Sequence, residues 1–264
     1  MIERTELLVP GPAVALGALL DVPVPDLDRG AGLPLLWHWL YLLDRPAQAD
    51  LGPDGHPVRH VVPEPPGPGL RRMWAGGRVR TLGPLRCGEP ATKQSRVVST
   101  QDKTGRSGPL TFVVVGHRIV QGGRIVVDEE QDIVYRRPGG VAPSQDGPVV
   151  PQAEGEWSID VTPTLLFRFS ALTYNAHRIH YDRDYARDVE GYPGLLTHGP
   201  LQALAMAEAA RAAGCAGAVA FEYRLVAPLF DHQGMVVRAD SGQTMVRDVH
   251  GRRTATGSLR DLAG

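Results

Sequence analysis

The sequence contains little cysteine and almost no net charge. Its 264 residues include two cysteines, Cys87 and Cys215, which lack the spacing of metal ligands and are too few for a disulfide framework. They favour a reducing compartment, and we expect the protein in the cytoplasm. Lys and Arg together number 28 against 29 Asp and Glu. This balance argues against nucleic acid or an anionic membrane as a partner.

Long apolar runs are also absent. The longest ones, such as Leu33 to Leu43, fall short of the roughly 18 apolar residues that a membrane span requires. The first residues, MIERTELLVPG, lack the basic and apolar regions of a secretory signal. Because 42% of the residues are hydrophobic, the chain can still build a core. The sequence therefore predicts a soluble intracellular protein.

The first half changes character once along the chain. GPAVALGALL (11–20) and LPLLWHWLYLL (33–43) carry apolar residues at helical spacing and predict two helices. Residues 44–70 are rich in proline and glycine, which predicts an exposed loop. Strands are predicted where β-branched residues follow, in RVRTL, ATKQSRVVST, LTFVVVGHRIV and RIVVDEEQDIVYR.

The second half follows a similar plan. The run RPGGVAPSQDGPVVPQ has the composition of a linker, so we expect an N-terminal unit at 1–137, a linker at 138–152 and a C-terminal unit at 153–264. Thr162-Pro163 and Gly199-Pro200 predict helix starts, and Gly214 predicts a helix end. Strands are predicted in WSIDV, AVAFEYRLV, GMVVRAD, QTMVRDV and RTATGSL.

Two short motifs indicate that the halves are related. Leu82-Gly83-Pro84-Leu85 and Val226-Ala227-Pro228-Leu229 each precede a further glycine, and their offset is 228 − 84 = 144 residues. Such self-similarity indicates duplication of one helix-plus-antiparallel-sheet unit. The predicted fold is α+β, a double hotdog in which two antiparallel sheets each wrap around a central helix.

The densest group of chemically active side chains is YNAHRIHYDRDYA, Tyr174 to Ala186. A metal site is disfavoured because no cysteine contributes and the ligand spacing after His177 and His180 is not conventional, so we expect no metal. The charges from Asp182 to Asp188 alternate in sign and indicate a solvated helix surface. For His177, a structural role and a functional role both remain open.

Asn175 and His180 offer a third interpretation, a proton-transfer site. An imidazole and a neighbouring amide can hold one water molecule by two hydrogen bonds. The imidazole then moves the proton, since its ordinary pKa of about 6.5 lies near working pH, and the amide fixes the geometry.

The segment FSALTYNAHRIH, Phe169 to His180, resembles the hydratase motif of the MaoC-like hotdog enzymes. The resemblance implies that His180 is the catalytic histidine and that Asn175 occupies the position of the catalytic aspartate. An amide does not titrate, so three alternatives stand. His180 transfers the proton alone while Asn175 orients water, His177 shares the work, or the site has lost hydratase activity.

Further segments resemble one branch of that family, the double-hotdog mesaconyl-CoA hydratases and the mitochondrial-type 3-hydroxyacyl-thioester dehydratases. In this branch an asparagine at the position of Asn175 is usual, which argues against lost activity. The matching segments lie between about Leu33 and Leu229 and are PLLWHWLYLLD, LGPDGHP, RRMWAGGR, GRSGPLTFVVVGH, EEQDIVYR and GYPGLLTHGPLQA.

The resemblance implies the hydration of an α,β-unsaturated acyl thioester, or the reverse dehydration. The substrate is expected to be an acyl-CoA such as mesaconyl-CoA or an acyl-carrier-protein thioester, with coenzyme A as a handle and no cofactor. The backbone at the helix start of LLTHGPLQA is expected to stabilise the enolate oxyanion. The residues predicted to bind substrate are His177, Arg178, His198 and Gly199.

Several assignments remain open from the sequence. Arg178 or Arg168 is the candidate cation for a second carboxylate on the substrate, and Arg71, Arg72 and Arg78 are candidates for the phosphates of coenzyme A. The N-terminal half is expected to be non-catalytic and to complete the acyl tunnel. A thioesterase and a non-catalytic acyl-thioester-binding subunit are the alternative functions, and a monomer or a homodimer is expected.

Overall fold

The ten strands in the described part of the chain form one continuous antiparallel sheet. The structure is a computed structural model that describes residues 1–67, 69–105, 108–137, 147–215 and 217–262. The strands are β1 (Ile2–Leu7), β2 (Arg71–Thr81), β3 (Pro90–Gly105), β4 (Gly108–Gln121), β5 (Arg124–Arg136), β6 (Glu156–Ile159), β7 (Val219–Leu225), β8 (Met235–Asp240), β9 (Gln243–Arg247) and β10 (Arg253–Asp261). The α-helices are α1 (Gly11–Leu20), α2 (Pro163–Leu172) and α3 (Gly199–Ala212).

The order of the strands repeats between the two halves. Across the sheet it is β1-β3-β4-β5-β2-β7-β10-β9-β8-β6. Read from its outer edge inward, each half therefore places its five strands in the order first, third, fourth, fifth and second along the chain. The halves meet where β2 pairs with β7, from Gly76 opposite Arg224 to Arg80 opposite Ala220. The predicted α+β double hotdog is confirmed, although its two sheets are joined edge to edge into one.

The two repeated motifs occupy equivalent places in the halves. The N–H groups of Leu82 and Gly83 both donate to the carbonyl of Val126. In the second half, Val226 and Ala227 both donate to the carbonyl of Thr254. Two stretches 144 residues apart thus make the same backbone contacts, as a duplicated unit requires.

α3 fills the C-terminal half as its central helix. Pro200 lies in the first turn, where its missing N–H costs nothing, and Gly214 follows the helix end with φ +94°. Most side chains of α3 are buried. α2 is capped as predicted, because the Thr162 hydroxyl accepts a hydrogen bond from the N–H of Leu165.

The prediction of a second helix in the first half, in LPLLWHWLYLL, is wrong. This segment forms only a 3-10 helix, Trp37–Leu40. Leu36 and Leu42 have φ values of 68° and 54°, in the left-handed region that ends a helix. The apolar residues are there because the segment is buried on all sides, and Trp37 even donates from Nε1 to Glu208 Oε1 of α3 over 2.7 Å.

This difference creates space in the N-terminal half. Leu33 donates to the carbonyl of Leu85 in the same way that Thr197 donates to Leu229, so the segment after Leu33 is the counterpart of α3. Within the described ranges, no α-helix follows Leu33 before β2. The volume that a central helix would fill is therefore open to a ligand.

The predicted linker is only partly described. Residues 138–146 lie outside the described residues, and 147–152 have no helix or strand. Val150 donates to the carbonyl of Val249, which ties the end of this segment to the C-terminal half. The division at 138–152 stays a prediction. None of the helices in the described part of the chain is long and apolar enough to cross a membrane.

Candidate active site

A cavity of about 1150 Å³ extends over both halves of the protein. Asn175, His177, His180 and Gly199, four of the residues predicted from the sequence, line it. The N-terminal half contributes further polar and aromatic lining, including His38, Trp39, His56, Arg72, Trp74 and Glu129. The hydratase motif therefore faces the space left by the missing helix, and the cavity is large enough for a ligand of the size of an acyl thioester.

Asn175 lies where the chain leaves α2. Its N–H donates to the carbonyl of Ser170 over 2.8 Å, and its side-chain Oδ1 accepts from the N–H of His177 over 3.0 Å. Its Nδ2 group makes no hydrogen bond to any described residue. The amide therefore keeps a donor available to the cavity.

His180 has a fixed tautomer. It lies in the 3-10 helix Arg178–His180, and its Nδ1 is 2.6 Å from the carbonyl oxygen of Leu196. Because a carbonyl oxygen only accepts, Nδ1 carries the proton and Nε2 carries the lone pair. Burial lowers the pKa of His180 to about 3, because the charged form is poorly solvated there. The imidazole is neutral at physiological pH and can accept a proton at Nε2.

Two consecutive contacts hold Asn175 and His180 in a fixed relation. Oδ1 of Asn175 binds the N–H of His177, and the carbonyl of His177 accepts from the N–H of His180 over 3.2 Å. The two side chains predicted to share a water molecule line the same cavity.

His198 supports the ring of His180. The two imidazoles are stacked, with centroids 3.6 Å apart and planes 19° apart. His198 is fully buried, and its Nε2 lies 2.8 Å from the hydroxyl of Ser170. Burial, followed by the neighbouring His180, lowers the pKa of His198 well below its ordinary value. His198 is therefore a neutral ring that packs against the catalytic candidate, and it is not among the side chains that line the cavity.

His177 lies between His180 and a histidine from the other half. Its ring is edge-on to His180, with centroids 5.3 Å apart, and 3.8 Å from the ring of His56. Burial, and then the proximity of His56, lowers the pKa of His177 well below its ordinary value. Nδ1 of His56 is 3.2 Å from Asp54 Oδ2. The interpretation of His177 as purely structural or functional stays open, but its ring faces the cavity.

The predicted exposed loop at 44–70 in fact reaches the hydratase motif. The carbonyl of Asp54 accepts from the N–H of Arg178 over 2.9 Å. Gly55 has φ +87°, and a Cβ at this position would overlap the carbonyl oxygen of Ala176. Turn composition predicts where a chain bends, but it does not tell which surface the loop contacts. His56 was missed for this reason.

Gly199 provides a free backbone donor. As the first residue of α3 it has no partner for its N–H inside the helix, and Pro200 has no N–H at all. A Cβ at Gly199 would overlap the side chain of Leu225. Gly199 lines the cavity, and the positive end of the helix dipole lies at this residue.

Arg178 and Arg168 lie away from the cavity. The Arg178 guanidinium binds Asp182 Oδ2 over 2.7 Å and lies 4.0 Å from the ring centroid of Tyr185. Arg168 is exposed, and neither residue lines the cavity. Their predicted role with a substrate carboxylate stays a prediction, and the placement of the side chains gives it no support.

Of the three arginines considered for the phosphates of coenzyme A, two are engaged within the protein. Arg71 is buried and binds Glu190 over 2.5 Å. Arg78 binds Glu130 over 2.7 Å and Asp132 over 3.0 Å. Arg72 is the one of these three that lines the cavity and has no ion pair with a carboxylate of the described residues.

A second polar cluster lies in the N-terminal half. The Glu129 carboxylate accepts hydrogen bonds from Nε2 of His38 over 2.8 Å, from Nε1 of Trp39 over 2.9 Å and from Nε2 of Gln131 over 2.7 Å. Burial alone would raise the pKa of Glu129, but the hydrogen bonds, first of all that of His38, lower it to about 2. This carboxylate is saturated by donors and forms a fixed part of the cavity wall.

Comparison with known proteins agrees with this geometry. The family model described as Hydroxyacyl-thioester dehydratase type 2 matches residues 36–231. A protein of Chloroflexus aurantiacus named Mesaconyl-C(4)-CoA hydratase is 48% identical over 221 residues, which cover 83% of this chain and 79% of the relative. A mitochondrial Hydroxyacyl-thioester dehydratase type 2 of Schizosaccharomyces pombe is 27% identical over 242 residues, which cover 81% and 78%.

Solved structures share the fold at low sequence identity. HtdX of Mycobacterium tuberculosis has a TM-score of 0.67 at 16% identity, with 99% of this chain and 100% of that chain covered. A MaoC-like dehydratase of Phytophthora capsici has a TM-score of 0.66 at 16% identity, covering 99% and 94%. A further M. tuberculosis protein, described as having a double hotdog fold, has a TM-score of 0.53 at 16% identity, covering 97% and 92%.

Proposed function

Because the chain belongs to the hydroxyacyl-thioester dehydratase type 2 family, we propose that it adds water to the α,β double bond of an acyl thioester, or removes it. One observation carries the proposal. A neutral imidazole with its lone pair on Nε2 lies in the same cavity as a free amide donor and the start of a helix. These are the base, the water holder and the oxyanion site that such a reaction needs.

Water is held between Asn175 and His180. Asn175 Oδ1 is occupied by the N–H of His177, so its Nδ2 donates to the water oxygen. The water in turn donates to Nε2 of His180. This division of work matches the first of the sequence interpretations, in which His180 alone moves the proton and the asparagine fixes the geometry.

The addition step transfers one proton to His180. Nε2 takes a proton from water while the oxygen bonds to Cβ, and the electrons of the double bond move through Cα to the carbonyl oxygen. The N–H of Gly199 and the dipole of α3 stabilise the enolate. The imidazolium then returns the proton to Cα, the carbonyl re-forms, and His180 is neutral again. Dehydration follows the same steps in reverse.

No cofactor takes part in this scheme, and coenzyme A enters as the handle of the substrate. The relative at 48% identity is named for mesaconyl-C(4)-CoA, which supports an acyl-CoA of this kind as the substrate. The alternative is a 3-hydroxyacyl-acyl-carrier-protein dehydratase, which the family description supports. We expect a cytoplasmic protein, which agrees with its free cysteines, Cys87 and Cys215. Whether it is a monomer or a homodimer stays a prediction.

A substrate screen tests the proposal. Purified protein is incubated with mesaconyl-C(4)-CoA and crotonyl-CoA, and loss of the conjugated thioester absorbance is followed. A parallel reaction with a thiol reagent measures release of free coenzyme A. Hydration without thiol release is expected. Thiol release at the same rate would instead identify a thioesterase, and binding without turnover of any enoyl thioester would contradict the proposal.

A further inference from the structure

Four cationic side chains among the described residues line the cavity, namely Arg71, Arg72, Lys93 and Arg136. Two of them have a carboxylate partner. Arg71 binds Glu190 over 2.5 Å, and Lys93 lies 3.8 Å from Asp44. Arg72 and Arg136 have no carboxylate of the described chain within ion-pair distance. A charge that lines a cavity without a partner is poised for an anion.

Arg72 lines the same cavity as His56 and His177, the histidines next to the catalytic candidate. In the sheet it is opposite Tyr135 of β5. Burial raises the pKa of Tyr135, and the Arg72 guanidinium opposes that rise. Burial lowers the pKa of both His56 and His177, and the same guanidinium lowers it further. Of these groups, His56 and His177 line the cavity together with Arg72, and His177 is edge-on to His180.

Arg136 lies elsewhere on the wall. It ends β5 opposite Arg71. Both arginines lower the pKa of Tyr192, which burial raises. Arg72 and Arg136 thus differ in their surroundings. Arg72 is opposite Tyr135 and Arg136 is opposite Arg71, and successive residues of a strand point to opposite faces of the sheet.

We infer that Arg72, together with His177, binds a carboxylate on the β carbon of the acyl group, and that this makes the protein selective for dicarboxylic enoyl thioesters. The inference rests on the proposed function and assigns the cation that its substrate needs. A guanidinium binds a carboxylate through two parallel N–H groups, and a neutral imidazole can add a further donor. Water attacks the same β carbon, so a carboxylate there must lie near His180.

Coenzyme A phosphates fit this corner less well. The phosphates and the thioester lie at opposite ends of the pantetheine arm. Arg72 shares the cavity with His177, whose ring is edge-on to His180, and this favours the reacting end for this cation. The carboxylate of the substrate would also repel the incoming hydroxyl, and pairing with Arg72 reduces that repulsion.

The same corner also contains a possible set of metal ligands. Asp54, His56 and His177 offer ligand atoms that all lie within 4.8 Å of one another. The Arg72 charge opposes a divalent cation there, and Asp54 Oδ2 is already in contact with Nδ1 of His56. The guanidinium charge of Arg72 offsets the charge of the Asp54 carboxylate, which weakens the attraction of this corner for a divalent metal ion.

Paired substrates and paired variants test the inference. Crotonyl-CoA is the acyl group of mesaconyl-C(4)-CoA with hydrogen in place of the carboxylate. In Arg72→Gln, kcat/KM for mesaconyl-C(4)-CoA should fall about 100-fold, while kcat/KM for crotonyl-CoA changes less than about threefold. Arg72→Lys keeps the charge without the paired N–H groups and should give an intermediate loss. Arg136→Gln is the control and should affect both substrates equally.

The opposite results are equally clear. If Arg72→Gln lowers kcat/KM for both substrates by the same factor, or if the wild-type protein prefers crotonyl-CoA, the inference is wrong and the hydratase function stands. If wild-type protein hydrates neither, the proposed function fails, and the inference with it. Should crotonyl-CoA turnover be too slow to measure, calorimetric binding of methylsuccinyl-CoA and butyryl-CoA makes the same comparison. Loss of wild-type activity on treatment with EDTA, restored by a divalent metal, would also overturn the inference.

Discussion

His56 of the N-terminal half lies against His177 of the C-terminal half, with ring centroids 3.8 Å apart. The half that carries no hydratase motif thus supplies part of the active-site wall. It does so through a five-residue turn, Gly52 to His56, whose backbone is hydrogen-bonded to the motif at Arg178. The two halves share the same strand order, and they differ in the central helix, which the described N-terminal half lacks, and in this loop.

The position of this loop depends on Gly55. In Gly55→Ala a Cβ would meet the carbonyl oxygen of Ala176 at a backbone with φ +87°, so we expect the loop to shift and kcat/KM to fall at least about tenfold. Gly30→Ala is the matched control, because Gly30 has φ +83° but open space around its Cβ. Enoyl-CoA hydration rates of the two variants give the comparison. Equal losses would mean that backbone strain, and not the contact with Ala176, causes the effect.

The pH dependence of the reaction follows from the state of His180. A general base acts in its neutral form, and burial lowers the pKa of this imidazole to about 3. The free-enzyme profile of kcat/KM should therefore show no fall near pH 6.5, and the acid limb should appear only below about pH 4. A profile of kcat/KM between about pH 4 and 8 tests this. An acid limb with an apparent pKa near 6.5 would place the base in a solvated environment.

The free energy of unfolding should begin to fall at a higher pH than in a protein whose pH dependence comes from its carboxylates. His177, His180 and His198 have pKa values lowered by burial, whereas in the unfolded chain they titrate near about 6.5. Between the folded and unfolded pKa values the unfolded state binds more protons. The contribution of these rings to the free energy of unfolding is therefore fully present above about pH 6.5, and it decreases as the pH falls below that value.

Urea unfolding at a series of pH values measures this loss. Each histidine that stays neutral in the folded state should lower the free energy of unfolding by roughly 1.4 kcal/mol for each pH unit below about pH 6.5. His180→Gln removes one of these groups and should reduce the slope by about one proton. A free energy of unfolding that stays constant between about pH 7 and 5 would contradict the buried, neutral state of the three rings.

The oxyanion site is tested at the start of α3. In Gly199→Ala the added Cβ would overlap Leu225, which should displace the N–H from the thioester oxygen and lower kcat about 100-fold. Leu225→Ala removes the overlapping side chain, so the double variant should recover part of the lost kcat. Single-turnover hydration rates of the two single variants and the double variant give the result. No recovery in the double variant would mean that the loss has another cause.

The sequence predicted most of what is local. Thr162-Pro163 starts α2, Gly199-Pro200 starts α3, and nine of the ten strands in the described residues overlap predicted segments, although β2 begins well before the predicted RVRTL. The exception is β1, which pairs with β3 and whose residues alternate between partly buried and exposed. Its six residues include three that are charged, and alternation over so short a stretch is a modest signal until a neighbouring strand is known.

What the sequence could not predict is long-range packing. Apolar periodicity in Leu33–Leu43 indicates burial but does not tell one buried face from burial on all sides. Likewise, a cation becomes a specificity candidate only when its partners are known. Arg178 is adjacent to the catalytic candidate in sequence but is paired with Asp182, whereas Arg72, about a hundred residues away, faces the cavity.

The most direct test of the account is hydration of mesaconyl-C(4)-CoA by His180→Gln beside the wild-type protein. Glutamine is close in size but cannot accept a proton, so kcat should fall by about 10² to 10⁴ while binding of the saturated methylsuccinyl-CoA changes little. A variant that hydrates within about threefold of the wild-type rate would contradict His180 as the base.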